Sequence, residues 1–194
     1  MIRRMNARIS HDTPPFDRLL IANRAEIAVR IIRACRELGV ETVAIYASGE
    51  ENVPHVRQAD DAYLIPSDLP LPYLDIDAII EVARRAGASA VHPGYGFLAE
   101  NADFAGACAR AGLTFVGPGP DAIRAMGDKI EARRLASAAG IPITAGSEGG
   151  IASADEARAW ADAHGYPVAI KAAGGGGGRG FRVAATAAEI EAAY

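Results

Sequence analysis

A lysine followed by a run of glycines is the stretch with the clearest chemical meaning in the sequence. Lys171 ends the apolar run Pro167-Val-Ala-Ile-Lys171, and two alanines separate it from five consecutive glycines: Gly174, Gly175, Gly176, Gly177 and Gly178. Glycine has no side chain to keep a ligand away from the backbone, and rows of backbone N–H groups bind phosphate oxygens. Because Lys171 adds a positive charge at the start of the run, the stretch predicts a glycine flap over a polyphosphate.

The residues on either side of the glycines predict a β-hairpin, since strand-like runs end at Lys171 and begin at Phe181 and the connection is too short for a parallel crossover. A flexible linker is the alternative, although linkers are usually flanked by polar sequence rather than by apolar strands. Gly175, Gly177 and Gly180 also match the dinucleotide fingerprint G-x-G-x-x-G. That fingerprint must open a helix, whereas this run opens a strand, so we reject it here.

A second glycine-containing segment lies at the end of another predicted strand. It reads His92-Pro-Gly-Tyr-Gly-Phe-Leu-Ala-Glu-Asn101, and ligands of open α/β sheets bind outside the carboxyl ends of the strands. Gly94 and Gly96 allow the backbone to bend, while Tyr95 and Phe97 can pack against a ligand. The alternatives are a tight structural turn with core aromatics, in which His92 is a hydrogen-bonded turn residue, and a dinucleotide site. The latter is disfavoured because no acidic residue ends the next strand.

Lys129 is a third candidate, because it follows Met126-Gly-Asp at the predicted start of a helix. A cation gains nothing from the helix dipole at that end. Two interpretations of Lys129 are therefore equally supported: it binds an anionic partner, or it is an ordinary solvated lysine.

The elements that precede these residues predict an α/β fold with a parallel sheet. Strand-like runs at residues 18–22 and 42–46 enclose a helical pattern at residues 25–38, which makes a βαβ unit. Further strands are predicted at residues 62–65, 88–92 and 114–116, and helices near residues 76–83 and 101–111. The result is a doubly wound, Rossmann-like domain from about residue 16 to 118. Its first strand–helix turn lacks glycine, which argues against dinucleotide binding.

After Asp121 the pattern changes to helices at residues 122–126 and 129–139, and a possible strand follows at residues 143–145. Ser153, with Glu156 three residues later, predicts a capping box for a helix that ends at His164. Another helix is predicted from Thr186. We expect a domain that begins near Ile141 to be cut off at residue 194.

The composition limits the partners and the compartment. Half of the 194 residues are hydrophobic, and 20 basic against 24 acidic residues argue against a sequence-independent nucleic-acid surface. Cys35 and Cys108 have no C-x-x-C spacing, which is typical of buried thiols in a reducing cytoplasm. No apolar run approaches the ~20 residues of a membrane helix, and residues 1–15 lack the apolar core of a secretory signal. We therefore predict a cytoplasmic protein with no membrane contact and with a flexible N-terminal tail, for which a short organellar presequence containing Arg3, Arg4 and Arg8 is the alternative.

Taken together, the segments identify a family. Ile21-Ala-Asn-Arg-Ala-Glu-Ile27, the segment at residues 92–101, Met126-Gly-Asp-Lys129 and the lysine–glycine run occur in one order. From about Phe16 to its end, the chain closely resembles the N-terminal part of biotin carboxylase, the ATP-grasp component of biotin-dependent carboxylases. The resemblance implies a Rossmann-like domain at residues 16–120, a helical linker at 121–140 and a partial ATP-grasp lid at 141–194.

The resemblance also implies an activity and its site residues. The activity is ATP-driven carboxylation of biotin by bicarbonate, through carboxyphosphate. Lys129 and Lys171 correspond to lysines that contact ATP phosphates, and residues 174–178 correspond to the flap. Tyr95 and Gly96 correspond to residues near biotin. Catalytic residues and the Mg²⁺ ligands are expected beyond residue 194, with no metal site within the chain, so we expect the chain alone to be inactive.

The expected partners are those of the family: a second copy of the chain, a biotin carrier protein or domain and a carboxyltransferase. The helix that carries Arg33 and Glu37 is expected at the homodimer interface. The chain departs from the family by Ala25 in place of glycine and by Gly49-Glu50 in place of Ala-Asp. The alternatives are another ATP-grasp ligase of the carbamoyl-phosphate synthase kind, which residues 92–101 disfavour, and a non-catalytic dimerising or nucleotide-binding module.

Overall fold

The computed structural model describes residues 15–172 and 180–194. The chain divides into two compact units, residues 1–123 and 124–194. The predicted tail, apart from Pro15, and the predicted flap at residues 174–178 lie outside the described residues.

The first unit is built on five parallel strands in the order β3-β2-β1-β4-β5. The strands are β1 (Arg18–Ile21), β2 (Glu41–Tyr46), β3 (Asp61–Leu64), β4 (Ala90–His92) and β5 (Thr114–Phe115). In the central strand β1, Leu20 pairs with Val43 of β2 and with Val91 of β4. The predicted parallel α/β sheet is confirmed.

Helices cover both faces of this sheet. They are α1 (Ala25–Leu38), α2 (Pro54–Gln58), α3 (Ile76–Arg85) and α4 (Ala102–Arg110), with a 3₁₀ turn at Pro72–Leu74. Alternate residues of each strand point to opposite faces. Leu20 therefore packs with the cluster that contains Ile79 of α3 and Phe104 of α4, whereas Leu19 packs with the cluster that contains Ile31 of α1.

The predicted apolar stripe of α1 is only partly correct. Ile31 and Cys35 are buried, and Ile27 is half-buried beside them. Leu38, which we expected in the same stripe, is 53% exposed. Leu38 is the last residue of the helix, and the chain leaves the helical path at Gly39, which has φ +70°. The end of the apolar stripe therefore lies at the edge of the core.

The second unit contains a hairpin and short helices. Its elements are α6 (Lys129–Ala138), α7 (Ala154–His164), β6 (Val168–Lys171), β7 (Phe181–Ala184), a 3₁₀ turn (Ala187–Glu189) and α8 (Ile190–Ala193), and α5 (Pro120–Gly127) crosses the division between the units. Strands β6 and β7 are antiparallel, which confirms the predicted hairpin. Its core cluster is small and consists of Ile190 with alanines of α7, β7 and α8.

The predicted strand at residues 143–145 is wrong, because the backbone there is irregular. Pro142 offers no backbone N–H to a neighbouring strand, and the Thr144 carbonyl accepts a hydrogen bond from the Arg133 guanidinium at 3.0 Å instead. The cap of α7 is confirmed, since Ser153 Oγ accepts from the Glu156 N–H at 3.1 Å. The Glu156 carboxylate reaches the N–H of Ala152 rather than that of the cap residue.

Among the described residues, no helix combines the length and the apolar character that crossing a membrane requires.

Candidate functional site

The turn between β1 and α1 and the loop after β4 meet at the carboxyl edge of the sheet. Ile21, the last residue of β1, pairs with His92, the last residue of β4, and the N–H of Ala22 donates to the His92 carbonyl at 2.9 Å. Turn residues 23–26 therefore lie beside loop residues 93–97. We refer to these two segments as the first turn and the glycine–aromatic loop.

Asn23 links the first turn to the glycine–aromatic loop. Its side chain is buried (3% exposed), and Nδ2 donates to the carbonyls of Pro93 at 2.7 Å and Tyr95 at 2.8 Å. Its Oδ1 accepts from the Arg24 N–H at 2.9 Å. Asn23 was not among the site residues predicted from the sequence, although a polar residue directly after a buried strand is a signal for such a role.

The loop backbone turns sharply at three residues. Gly94 and Gly96 both have φ +65°, and Phe97 has φ +41°. A Cβ on Gly94 would lie 2.7 Å from Asn23 Nδ2, so only glycine fits against the buried amide. The predicted backbone bend at the two glycines is confirmed.

An aromatic pair supports the far end of the loop. The ring of Phe97 stacks on the buried ring of Tyr73, with centroids 5.2 Å apart and planes 12° apart. The Arg24 guanidinium lies 5.4 Å from the Tyr73 centroid and 5.6 Å from that of Phe97. This distance is within the range of a cation–π contact.

Glu50 holds this aromatic cluster together. Its carboxylate accepts from the Tyr73 hydroxyl at 2.6 Å, pairs with Arg24 Nη1 at 2.6 Å and accepts from the Ala47 N–H at 3.1 Å. Burial alone raises the pKa of Glu50, but the hydrogen bonds from Tyr73, Ala47 and Arg24 together hold it below its ordinary value. Burial, together with the Glu50 carboxylate, raises the pKa of Tyr73. Glu50 therefore supplies a carboxylate that supports the loop through Tyr73 and Arg24.

Tyr95 and Gly96 lie on the exposed side of the loop. The Tyr95 side chain is 60% exposed, and its hydroxyl donates to the Glu26 carboxylate of the first turn. The Gly96 carbonyl accepts from the Ala99 N–H at 2.8 Å. Both residues are therefore exposed to solvent, and their role in biotin binding stays a prediction.

Two histidines are structural parts of this edge. His92 Nδ1 accepts from the Gly94 N–H at 3.0 Å, in agreement with its interpretation as a hydrogen-bonded turn residue. His55, which the sequence analysis missed, is 1% exposed; its Nδ1 accepts from the Ala25 N–H at 3.3 Å and its Nε2 contacts the Ile45 carbonyl at 3.2 Å. These partners require a neutral ring with the proton on Nε2. Burial lowers the pKa of both histidines.

The hairpin of the second unit carries Lys171 on an exposed face. Lys171 pairs with Phe181 across the strands, and its Nζ lies 5.6 Å from the Phe181 ring centroid. Phe181 is 50% exposed and Val183 is 53% exposed. The Ala172 N–H donates to the Gly180 carbonyl at 2.9 Å, so the pairing continues to both ends of residues 173–179.

Lys129 is the first residue of α6 and is exposed, as predicted. The preceding Asp128 caps the helix by accepting from the N–H groups of Ile130 and Glu131, each at 2.9 Å. On α1, Arg33 and Glu37 are both exposed, and the described part of the chain shows no ion pair between them. Within residues 15–172 and 180–194, no group of three or more His, Cys, Asp or Glu side chains is arranged to hold a metal ion.

Comparison with known families agrees with this arrangement. The family described as "Biotin carboxylase, N-terminal domain" matches residues 15–123. The chain belongs to this family. Residues 128–194 match "Carbamoyl-phosphate synthase L chain, ATP binding domain". The match at residues 128–194 carries the name of carbamoyl-phosphate synthase, the ligase that we considered as an alternative. The match at residues 15–123 favours biotin carboxylase over that alternative.

Individual relatives support the same family. The chain is 55% identical over 174 residues to biotin carboxylase 1 of Bacillus subtilis, covering 89% of this chain and 39% of that protein. Among solved structures, a biotin carboxylase–beta-gamma-ATP complex from Campylobacter jejuni has a TM-score of 0.86 and 40% identity, covering 92% of this chain and 40% of that chain.

A second structure is the biotin carboxylase domain dimer of Hydrogenobacter thermophilus 2-oxoglutarate carboxylase with MgADP, ADP and bicarbonate. It has a TM-score of 0.85 and 46% identity, covering 94% of this chain and 41% of that chain. The chain therefore spans about two fifths of the biotin carboxylases that it matches. The predicted family and fold class are confirmed.

Proposed function

We propose that this chain supplies part of the ATP and biotin sites of a biotin carboxylase. The reaction is the ATP- and bicarbonate-dependent carboxylation of biotin on a carrier protein, which then serves a carboxyltransferase. In this proposal, residues 16–120 form the N-terminal domain, residues 121–140 a helical linker and residues 141–194 part of the ATP-grasp lid. The observation that carries the proposal is Lys171, which ends β6 on the exposed face of the hairpin that encloses the glycine run.

The hairpin face suits a nucleotide. Phe181 and Val183 expose apolar surface for a base, and the Lys171 ammonium on the same face suits phosphate oxygens. Lys129 is the second phosphate contact in the proposal, and residues 174–178 are the flap. Phosphoryl transfer depends on charge neutralisation and positioning rather than on covalent chemistry by the protein. Lysines are therefore the side chains that this step needs.

Mg²⁺ supplies further neutralisation of the triphosphate when it is bound, and the Hydrogenobacter thermophilus biotin carboxylase domain has been solved with MgADP. The described residues contain no cluster that fits the ion. In our proposal the residues of this chain contact the substrates and do not hold the metal ion. Lys171 and Lys129 bind phosphate oxygens, and Tyr95 and Gly96 lie near biotin.

We also propose that α1 contributes to a dimer, because a related biotin carboxylase domain is described as a dimer. Arg33 and Glu37 lie four residues apart on an exposed face of α1, and a two-fold axis brings such a patch onto itself. Each Arg33 can then pair with the Glu37 of the second copy.

Analytical ultracentrifugation of a completed enzyme tests the dimer. We define the completed enzyme as this chain followed by the remaining residues of Bacillus subtilis biotin carboxylase 1. We expect a dimer at micromolar concentration and a monomer after Arg33→Glu, while Arg134→Glu on α6 is the control. A dimer that Arg33→Glu leaves unchanged removes this helix from the interface.

The activity itself is tested with the same completed enzyme. We expect carboxybiotin and phosphate to form only when ATP, bicarbonate and biotin are all present, and we expect neither the 194-residue chain nor the Bacillus subtilis remainder alone to form them. The intact Bacillus subtilis enzyme serves as the positive control. A folded completed enzyme that makes no carboxybiotin under conditions where the control does would contradict the proposed function.

A further inference from the structure

Asn23 binds its own turn and the glycine–aromatic loop through three hydrogen bonds of its side-chain amide. Both N–H donors of its amide reach loop carbonyls, those of Pro93 and Tyr95, and its oxygen accepts from the Arg24 N–H. The side chain is buried, so water cannot replace these bonds at low cost. Two carbonyls that are two residues apart are therefore fixed by one amide.

The other end of the loop is fixed by Arg24. Its guanidinium lies against the stacked rings of Tyr73 and Phe97 and is itself paired with Glu50. Tyr73 is fully buried and donates to the same carboxylate. The Phe97 ring is therefore held by its stacking on Tyr73 and by its contact with Arg24. Adjacent residues of the first turn thus hold the two ends of one loop.

Tyr95 is held at its own carbonyl, and Gly96 lies between this attachment and the stacked Phe97 ring. Three of the four residues from 94 to 97 have positive φ, and Phe97 adopts this region without being glycine. Such backbone conformations persist only when the surrounding structure determines them. The first turn provides that determination, and it also binds the tip of Tyr95 through Glu26.

We propose that Asn23 and Arg24 are positioning residues for biotin: they hold the loop so that Tyr95 and Gly96 present one fixed surface to it. This inference rests on the proposed function, in which those two loop residues contact biotin. Neither Asn23 nor Arg24 touches the substrate in this account. Their effect on the reaction passes through the loop backbone and the Phe97 ring.

Asn23→Asp tests the inference, because it keeps the shape of the side chain and replaces the two N–H donors with an acceptor that faces two carbonyls. In the completed enzyme we expect the KM for biotin to rise at least tenfold. We expect the KM for ATP and the bicarbonate-dependent ATPase without biotin to stay within twofold. Arg24→Lys keeps the charge beside Glu50 but loses the planar stacking group, and we expect the same pattern at about threefold.

The matched control is Thr42→Val, which removes another buried hydrogen bond of the same unit. Thr42 is 1% exposed, its hydroxyl donates to Asp60 at 2.7 Å, and it lies in the second position of β2, away from the carboxyl edge of the sheet. A variant that only loses stability should resemble this control, with a lower Tm and an unchanged KM for biotin. An Asn23→Asp enzyme that behaves like Thr42→Val overturns the inference.

Amide hydrogen exchange of the 194-residue chain separates this inference from the proposed function. We expect Asn23→Asp to speed exchange at least tenfold at Gly94 and Ala99, whose N–H groups donate to His92 Nδ1 and to the Gly96 carbonyl, and to leave Leu20 and Val43 in the central strands unchanged. If Asn23→Asp does not fold, Arg24→Lys is measured in the same way. Unchanged exchange in the loop overturns the positioning role even when the completed enzyme is active. If Asn23→Asp speeds loop exchange in the 194-residue chain but the completed enzyme without substitutions is inactive, the positioning role stands and only the proposed function is contradicted.

Discussion

The glycine–aromatic loop and the hairpin of β6 and β7 each expose one aromatic ring, but their supports differ. Tyr95 is 60% exposed on a loop whose backbone is bound by a buried amide and a stacked ring pair. Phe181 is 50% exposed on a hairpin whose described support is one antiparallel ladder and a small cluster rich in alanine. The loop is attached to the sheet of a larger unit with core clusters on both faces.

Under the proposed function, this difference predicts how each of the two regions binds its substrate. A loop that is fixed before the ligand arrives loses little further entropy on binding, which suits a small substrate with few contacts. A hairpin with few buried contacts belongs to the less stable part of a structure, from which lids over active sites are drawn. We therefore expect biotin to meet a preformed surface and ATP to order the region that binds it.

The largest expected effect lies on the hairpin. In the completed enzyme, Lys171→Ala should lower kcat/KM for ATP by roughly 100-fold, since the loss of one charged group at a phosphoryl site costs about 3 kcal/mol. Arg134→Ala is the control, because Arg134 belongs to the same unit and its described ion pair is an exposed one with Glu131. Steady-state kinetics measure both. Equal kinetics for Lys171→Ala and the unsubstituted enzyme remove Lys171 from the ATP site.

A second expected effect is a pH dependence of the stability of the first unit. His55 and His92 have lowered pKa values because burial disfavours the charged ring. The unfolded chain therefore binds protons first as the pH falls below about 6.5. The stability that neutral His55 contributes is present above that pH and is lost below it. Circular dichroism should show Tm falling from pH 7 to pH 5.

The variants assign this pH dependence to the buried histidine. His55→Gln should reduce the slope of Tm against pH, while His164→Gln, at the exposed end of α7, should leave the slope unchanged. Equal slopes in both variants exclude His55 as the source.

The smallest expected effect concerns Ala25, which stands where the family usually has glycine. Its φ is +55°, a region that costs an alanine about 1 kcal/mol. Because the larger conformational entropy of unfolded glycine offsets part of this gain, Ala25→Gly should raise Tm by only roughly 1–2 °C in a thermal melt. Ala28→Gly, inside the same helix and buried, should lower it instead. A lower Tm for Ala25→Gly would show that the first turn is not strained.

The parts of the fold with local signals were predictable from the sequence. Helix α1 occupies residues 25–38 as predicted, because an apolar period of 3.6 residues and a terminal glycine mark both its face and its end. The hairpin was predictable from its short connection. The short helix α2 was missed although it begins with Pro54, a residue common at the first position of a helix.

The support of the loop was not predictable, because it joins residues that are distant in the sequence. Glu50 contacts both Arg24 and Tyr73, and Asn23 binds the backbone of residues about 70 positions away. The periodicity of apolar residues in the sequence does not indicate such long-range contacts. The residues alone predicted a phosphate-binding flap at Lys171, with a linker as the alternative. The role of Tyr95 near biotin came from the family resemblance, since the residues alone left a structural turn as the alternative.

The central claim is that the loop recognises biotin and the hairpin recognises ATP, and crossed kinetics of two truncations test it most directly. In the completed enzyme, Tyr95→Ala should raise the KM for biotin roughly tenfold and leave the KM for ATP within twofold, a loss of about 1.4 kcal/mol of binding. Phe181→Ala should raise the KM for ATP by a similar factor and leave that for biotin unchanged. If either substitution raises both constants equally, or if the two effects are exchanged, the assignment of the substrates to these two regions is contradicted.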